Sequence, residues 1–208
     1  MALIKLNNKA VSNATAFGSI SSLGSMVFIK KLTASSSSTL SFVDGASGVV
    51  LDDTYKEYLF TLNNIHPSAN GSLLAMNLSI DSGSNYNVAK TTTFFYALNA
   101  ENNSYAALTY AAGDDLAQGT GFQPIAPIGY GNDECGCAYM SLFNPSSSVF
   151  AKHFLINSSS LQDASGDMYE RNNYAAGYAN TTSAVNAVQF KMLSGNIDAG
   201  DICLYGIA

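Results

Sequence analysis

Few groups in this chain can do covalent chemistry, and their spacing decides what that chemistry could be. The two histidines are His66, directly before Pro67 at the end of an alternating run, and His153, in the middle of another. A Ser-His-Asp site needs an imidazole held between a nucleophile and a carboxylate. Neither histidine lies near a G-x-S-x-G elbow, so both are expected to be structural. Three acidic pairs, Asp52-Asp53, Asp114-Asp115 and Asp133-Glu134, offer the two carboxylates that glycoside hydrolysis requires. All three sit in segments that read as turns, where Asp is favoured because it bonds nearby backbone. The chain has no Trp to stack on a sugar, although 12 Tyr could substitute. No catalytic residue is assigned, no cofactor is expected, and the chain is read as a non-enzyme.

Metal chemistry has equally thin support. Asp81, Ser82, Ser84 and Asn85 bring oxygens close together in sequence, and Asp81 and Asn85 are the candidate metal ligands. Calcium sites need several converging carboxylates, and the usual downstream Glu is missing, so a plain turn is the expected reading. Cys135 and Cys137 could supply two thiolates, but no second Cys or His pair stands near them to complete a zinc site. Both are expected to be buried. With Cys203 they make an odd set, and residues one apart on a strand rarely bridge, so no disulfide framework is indicated.

Whatever these residues do, β-strands must position them. Thr54 to Pro67 alternates Tyr58, Phe60 and Leu62 with Leu59, Thr61 and Asn63, the period-2 pattern of a half-buried strand. Residues 68–71 turn the chain into a second run, Leu73 to Ile80, and 54–80 is read as a hairpin. Met26–Thr33 and Thr39–Val43 read as another hairpin, and 138–156 as a third. Further strands are expected over 86–97, 105–111, 174–179, 185–193 and 202–207. Pro124 and Pro127 mark a surface loop, and 157–173 reads as a polar loop. Tyr58, Phe60, Leu62, Met140, Leu142, Phe154, Val188, Phe190 and Leu204 are the expected core. About ten short strands without an amphipathic helix predict an all-β antiparallel sandwich, jelly-roll-like.

Hydrophobic residues make up 47% of the 208 and charged ones 12%, about half the usual charged share. Polar surface must therefore come from Ser, Thr, Asn and Gln, a composition suited to an assembled particle. The net charge of -6 and the absence of a basic stripe argue against nucleic acid as a partner. No run reaches the roughly 18 apolar residues of a membrane span, and the first residues lack a signal peptide's apolar region. No membrane insertion is expected, and synthesis in a reducing cytoplasm fits the cysteines.

Residues 1–25 read as an extended N-terminal arm before a sandwich domain over 26–208. The arm's Leu3, Ile4, Leu6, Val11 and Phe17 are too apolar for a free tail and too interrupted for a regular helix, so they are assigned to docking or assembly. Aromatics concentrate in 86–130, at Tyr86, Phe94, Phe95, Tyr96, Tyr105, Tyr110 and Tyr130. Core packing is expected to take most of them.

The sequence TYKEYLFTLNNIHP, followed by DSGSNYN at 81–87, an NPSS hairpin and the closing AVQFKMLSGNIDAGDICLYGI, resembles small virion proteins of tailed bacteriophages. Marine and cyanobacterial phages carry many of this kind. The resemblance spans roughly residues 28–207 and lies in turns and strands rather than catalytic positions. It implies a jelly-roll-like sandwich on the outside of the virion, as a tail fibre or knob or a capsid decoration protein. Such proteins often cap a coiled-coil stalk, and residues 1–25 lack heptads, so a compact knob or decoration module is expected. The expected partners are the chain itself, as a homo-oligomer and most readily a trimer, because its low charge and apolar arm suit covered surfaces, together with other virion proteins. The alternative is a carbohydrate-binding module that displays loops 112–135 and 157–173 to host glycans, followed by a glycan hydrolase.

Overall fold

The computed structural model describes residues 25–164 and 167–208, and these form twelve β-strands in two antiparallel sheets. In chain order they are β1 (Met26–Thr33), β2 (Leu40–Val43), β3 (Glu57–Pro67), β4 (Ser72–Ser79), β5 (Lys90–Ala100) and β6 (Ala106–Tyr110), then β7 (Gln123–Ile128), β8 (Gly136–Phe143), β9 (Lys152–Ala164), β10 (Asp167–Ala179), β11 (Ala187–Met192) and β12 (Ile197–Ile207). The larger sheet runs β1-β12-β3-β8-β9-β10-β5-β6, and the smaller runs β2-β11-β4-β7.

That order is a jelly roll with two insertions. Strand β1 pairs with β12, β2 with β11, β3 with β8 and β4 with β7, which are the nested pairs of one long hairpin wrapped around a barrel axis. Strands β5 and β6 are inserted between β4 and β7, and β9 and β10 between β8 and β11. All four insertions join the larger sheet beside β8, doubling it from four strands to eight.

The two sheets close on one apolar core. Every one of the nine core residues expected from alternation is fully withdrawn from solvent. Phe60 on β3 faces Phe42 on β2 and Phe190 on β11, with ring centroids 5.3 and 5.5 Å away, so one aromatic cluster ties the larger sheet to the smaller. Beneath the inserted strands the packing changes character. Ser158 and Asn173 point inward from β9 and β10, Asn173 Nδ2 donates to Ser158 Oγ at 3.1 Å, and Ser158 Oγ donates to Ile125 O on β7 at 3.0 Å. The buried polar groups there satisfy one another, as burial requires.

Several sequence expectations need correction. The 54–80 and 26–43 segments contain their expected strands, but neither is a hairpin. In each the chain leaves one sheet and enters the other, because both faces of a jelly roll are wound together. The 138–156 hairpin stands, with Leu142 opposite Phe154. Residues 157–164 and 167–173 are not loop but belong to the long paired strands β9 and β10. Their alternation is hidden because the inward positions are Ser and Asn rather than apolar residues. Pro124 and Pro127 lie in the buried strand β7, not in a surface loop. As the edge of the smaller sheet, β7 can spare proline's missing donor on its unpaired side. The last strand begins earlier than the expected 202, at Ile197, and β12 shifts register around Gly200. There φ is +118° and a Cβ would meet Asn64 O at 2.7 Å, so only glycine fits the bulge.

Candidate functional site

The inserted strands build a broad surface on the outer side of the larger sheet, and alternation dictates what it displays. On β9 the inward set is Phe154, Ile156, Ser158 and Ser160, so His153, Leu155, Asn157 and Ser159 face out. The ladder then carries one row of outward side chains across the sheet. Thr61 sits beside Tyr139, Tyr139 beside Asn157, Asn157 beside Tyr174, Tyr174 beside Phe95, and Phe95 beside Tyr110. The adjoining row is Leu59, Ser141, Leu155, Ala176 and Thr93. From Thr61 to Tyr110 and from Leu59 to Thr93 these rows carry no charged side chain, but the first continues through Cys203 to Lys31, and the Ser141 hydroxyl donates to the Glu57 carboxylate at 2.7 Å.

The relief of this face follows from residue size. Phe95 and Tyr174 stack with centroids 5.0 Å apart and planes 12° from parallel, forming one wall. Tyr139, 61% exposed, forms the other. Between them the small or short side chains of Asn157, Ser141 and Ala176 leave a cavity of about 410 Å³. A second hollow of about 440 Å³ adjoins it, lined by Thr91, Thr93, Phe143, His153, Leu155 and Tyr178. Polar atoms are sparse in both. The arrangement can hold a flat apolar or amphipathic surface by ring contact, which suits a protein face or a sugar ring.

Most acidic candidates and His66 fall elsewhere and are engaged by neighbouring groups, whereas His153 lines the second hollow. Asp81 Oδ1 accepts from the Ser79 hydroxyl and from Asn85 N, and Oδ2 accepts from Asn85 Nδ2 at 2.7 Å. The Ser79 bond first, then those from Asn85, draw its carboxyl down to about 2. Asp81 and Asn85 thus satisfy each other across the turn. Asp52 accepts from Thr54 N at 2.8 Å. Asp114 lies 3.8 Å from the Arg171 guanidinium, while Asp115 accepts from the Tyr110 hydroxyl. The Glu134 carboxylate is buried and accepts from the amides of Gly131 and Asp163. His66 contacts Gly131 O at 3.1 Å. His153 lies on the outer face beside Tyr178, ring centroids 5.7 Å apart. Among the described residues, no group of three or more His, Cys, Asp or Glu is placed to hold a metal ion.

Two further readings change. Of the aromatics at 86–130, only Phe94 is buried; Phe95, Tyr105, Tyr110 and Tyr130 are between 40% and 56% exposed. Core packing therefore takes a minority. Cys135 and Cys137 are not buried as expected: Cys135 is half-buried and Cys137 exposed, because Cys137 shares the outward register of Tyr139, while Cys203 is buried. All three thiols are free. The segments 112–135 and 157–173 are not loops throughout: the first contains β7, and the second contains parts of β9 and β10. The arm residues Leu3, Ile4, Leu6, Val11 and Phe17 lie outside the described residues.

The face made by Tyr139, Leu155, Tyr174 and Tyr178 was not singled out from sequence, yet a signal for it existed. Once Phe154 and Met140 are assigned inward, Leu155 and Tyr139 must point out, and large apolar residues on an outward register are unusual enough to mark a covered surface. Comparison of the chain with protein families, with characterised proteins and with solved structures finds no match.

Proposed function

We propose that this protein is a non-enzymatic structural component on the exterior of a bacteriophage particle, as a tail knob or fibre tip or a capsid decoration. It works there as a symmetric homo-oligomer, a trimer, bound to other virion proteins. The observation that carries this reading is the exposed aromatic patch of Tyr139, Tyr174 and Phe95 on the doubled sheet. A monomer gains nothing by displaying Tyr139, Leu155, Tyr174 and Phe95 together on its surface, whereas an assembling subunit gains an interface. The low charge of the whole chain and the resemblance in its turns point the same way, and the jelly roll is shared by many capsid and lectin domains. The wider role rests on that analogy. It places the protein in the virion after synthesis in the host cytoplasm, with the segment before β1 as an anchor. Sedimentation of the purified chain at micromolar concentration tests the oligomer, and localising the chain by imaging intact particles tests the setting. A chain absent from particles overturns the reading.

One observation favours a second role for the same face. Tyr139, Tyr174 and Phe95 stand around Asn157 and Ser141, pairing ring faces with amide and hydroxyl groups as sugar-binding sites do. A glycan array with wild type and Tyr139→Ala distinguishes a host-glycan receptor module from a purely structural one.

A further inference from the structure

Sheet edges offer unpaired backbone, and proteins blunt them with charge, proline, bulges or brevity. Three of the four edges here are blunted. Strand β1 carries Lys30 and Lys31 and shifts register between Phe28 and Lys30. Strand β2 has four residues. Strand β7 contains two prolines and is buried throughout. The fourth edge, β6, reads AALTY, with no charge and no proline.

The unpaired groups of β6 can be named. Ala111 N donates to Phe94 O and Tyr105 O accepts from Ala100 N, so the odd-numbered residues bond to β5. Antiparallel alternation then turns the N–H and C=O of Ala106, Leu108 and Tyr110 outward. Leu108 is 76% exposed and sits beside Ala97 in the outward register of Tyr110.

We propose that this edge seats a strand from the segment before β1, through Leu3, Ile4 and Leu6, supplied by a second copy of the chain. This rests on the oligomer reading above and names its contact. The segment MALIKL brings closely spaced apolar side chains and a single charge, and strand addition combines backbone bonds with apolar side-chain contacts. Its attachment point favours exchange between copies. Met26 lies level with Glu57 and Phe143 at one corner of the sheet, while β6 pairs only with the Phe95–Asn99 part of β5 at the diagonal corner. Seven strand spacings, roughly 34 Å, separate the two edges. An intrachain path would lay the Ser-, Asn- and Gly-containing residues 9–24 obliquely over the aromatic face, where they could form no ladder. Giving the segment to the next subunit leaves that face free for lateral contact, and head-to-tail repetition closes a ring.

The test uses full-length chains in sedimentation. One variant, Leu108→Pro, removes a donor that serves no bond in β6; Leu108→Lys blunts the same edge should proline disturb folding. The other carries Leu3→Ser, Ile4→Ser and Leu6→Ser together. Both are expected to melt like wild type and to sediment as monomers, while wild type is oligomeric. An equal mixture of the edge variant and the triple variant should form a two-chain species, since one still gives a strand and the other still accepts it. A mixture that stays monomeric overturns exchange between copies. Loss of assembly in the edge variant alone shows edge-to-edge pairing without the segment, and overturns the proposal. If both variants remain oligomeric, the proposal fails while the oligomer reading survives through the aromatic face. A monomeric wild type overturns both.

Discussion

Lys90 Nζ lies 2.5 Å from Asn77 Oδ1, and neither side chain reaches solvent. The ammonium donates again to Val88 O at 2.7 Å, so its partners are neutral oxygens. Asn77 is itself fixed, because its Nδ2 donates to Tyr86 O and Thr120 O. This pair joins the first inserted strand to the outer side of the smaller sheet, through the segments that cover β4.

Burial pushes the Lys90 amine down to about 8 from its ordinary 10.5. Between those values the unfolded chain binds more protons than the folded one, so stability must rise with pH across that window. The contribution is complete above the unfolded value and is lost as pH falls through about 8. At about 1.4 kcal/mol per unit, unfolding in urea should cost about 2 kcal/mol more at pH ~9.5 than at pH ~7. In Lys90→Met most of that difference should disappear, the remainder coming from buried Lys152, whose amine burial also pushes down. Above about pH 10 buried Tyr58 acts oppositely, since burial raises its phenol and the unfolded chain loses that proton first. The comparison therefore belongs below that pH. An unchanged slope in Lys90→Met would show that another group carries it.

The aromatic cluster of Phe42, Phe60 and Phe190 makes the two sheets one cooperative unit. Phe60→Ala or Phe190→Ala should lower stability by about 3–5 kcal/mol, because each deletes a fully buried ring shared by both sheets. Denaturant titration followed by near-UV and far-UV signals should show one coincident transition in both variants. Wild-type-like midpoints would mean that the sheets do not depend on this contact.

How legible this was in the sequence depended on what each strand buries. Strands β3, β8 and β11 read clearly because Phe60, Met140 and Phe190 alternate with polar residues against an apolar core. The β9–β10 extension did not, because Ser158, Ser160 and Asn173 occupy inward positions that pattern reading assigns to solvent. Strand β7 was masked by its prolines, which only its place at an edge permits. Sheet membership was also invisible: nothing local to 54–80 reveals that the chain changes sheets after Pro67. The aromatic face could be inferred only by assigning the inward register first and then asking what remained outside.

The polar seam under β9 and β10 makes its own prediction. Asn173 accepts from Arg171 Nε at 2.7 Å and donates to Ser158, and Arg171 lies 3.6 Å above the Tyr96 ring. Asn173→Leu would remove the donor to buried Ser158 Oγ, which keeps its bond to Ile125 O, and the acceptor for half-buried Arg171 Nε, at a cost of about 1–3 kcal/mol. The loss should exceed that of Asn157→Leu on the outer face of the neighbouring strand by at least about 1 kcal/mol. Equal losses would mean that the seam is wet and only loosely packed.

The last prediction uses a thiol as a reporter of the covered face. Cys137 is exposed and shares the outward register of Tyr139, two residues along β8, whereas Cys203 is buried and Cys135 is half-buried with a thiol that burial pushes up. Reaction requires an accessible thiolate, so in dilute, monomeric protein a maleimide should label Cys137 first, then Cys135, with Cys203 last. Raising the concentration into the oligomeric range should slow Cys137 at least tenfold if the Tyr139 side of the sheet is the contact, because the reagent then waits for dissociation. Cys135, outside the aromatic rows, should slow far less and serves as the internal control. Tyr139→Ala should restore fast Cys137 labelling at high concentration without changing the melting temperature by more than about 2 °C, since that ring packs on nothing in the core. Equal labelling of Cys137 at every concentration, in a chain that does oligomerise, would move the interface off this face.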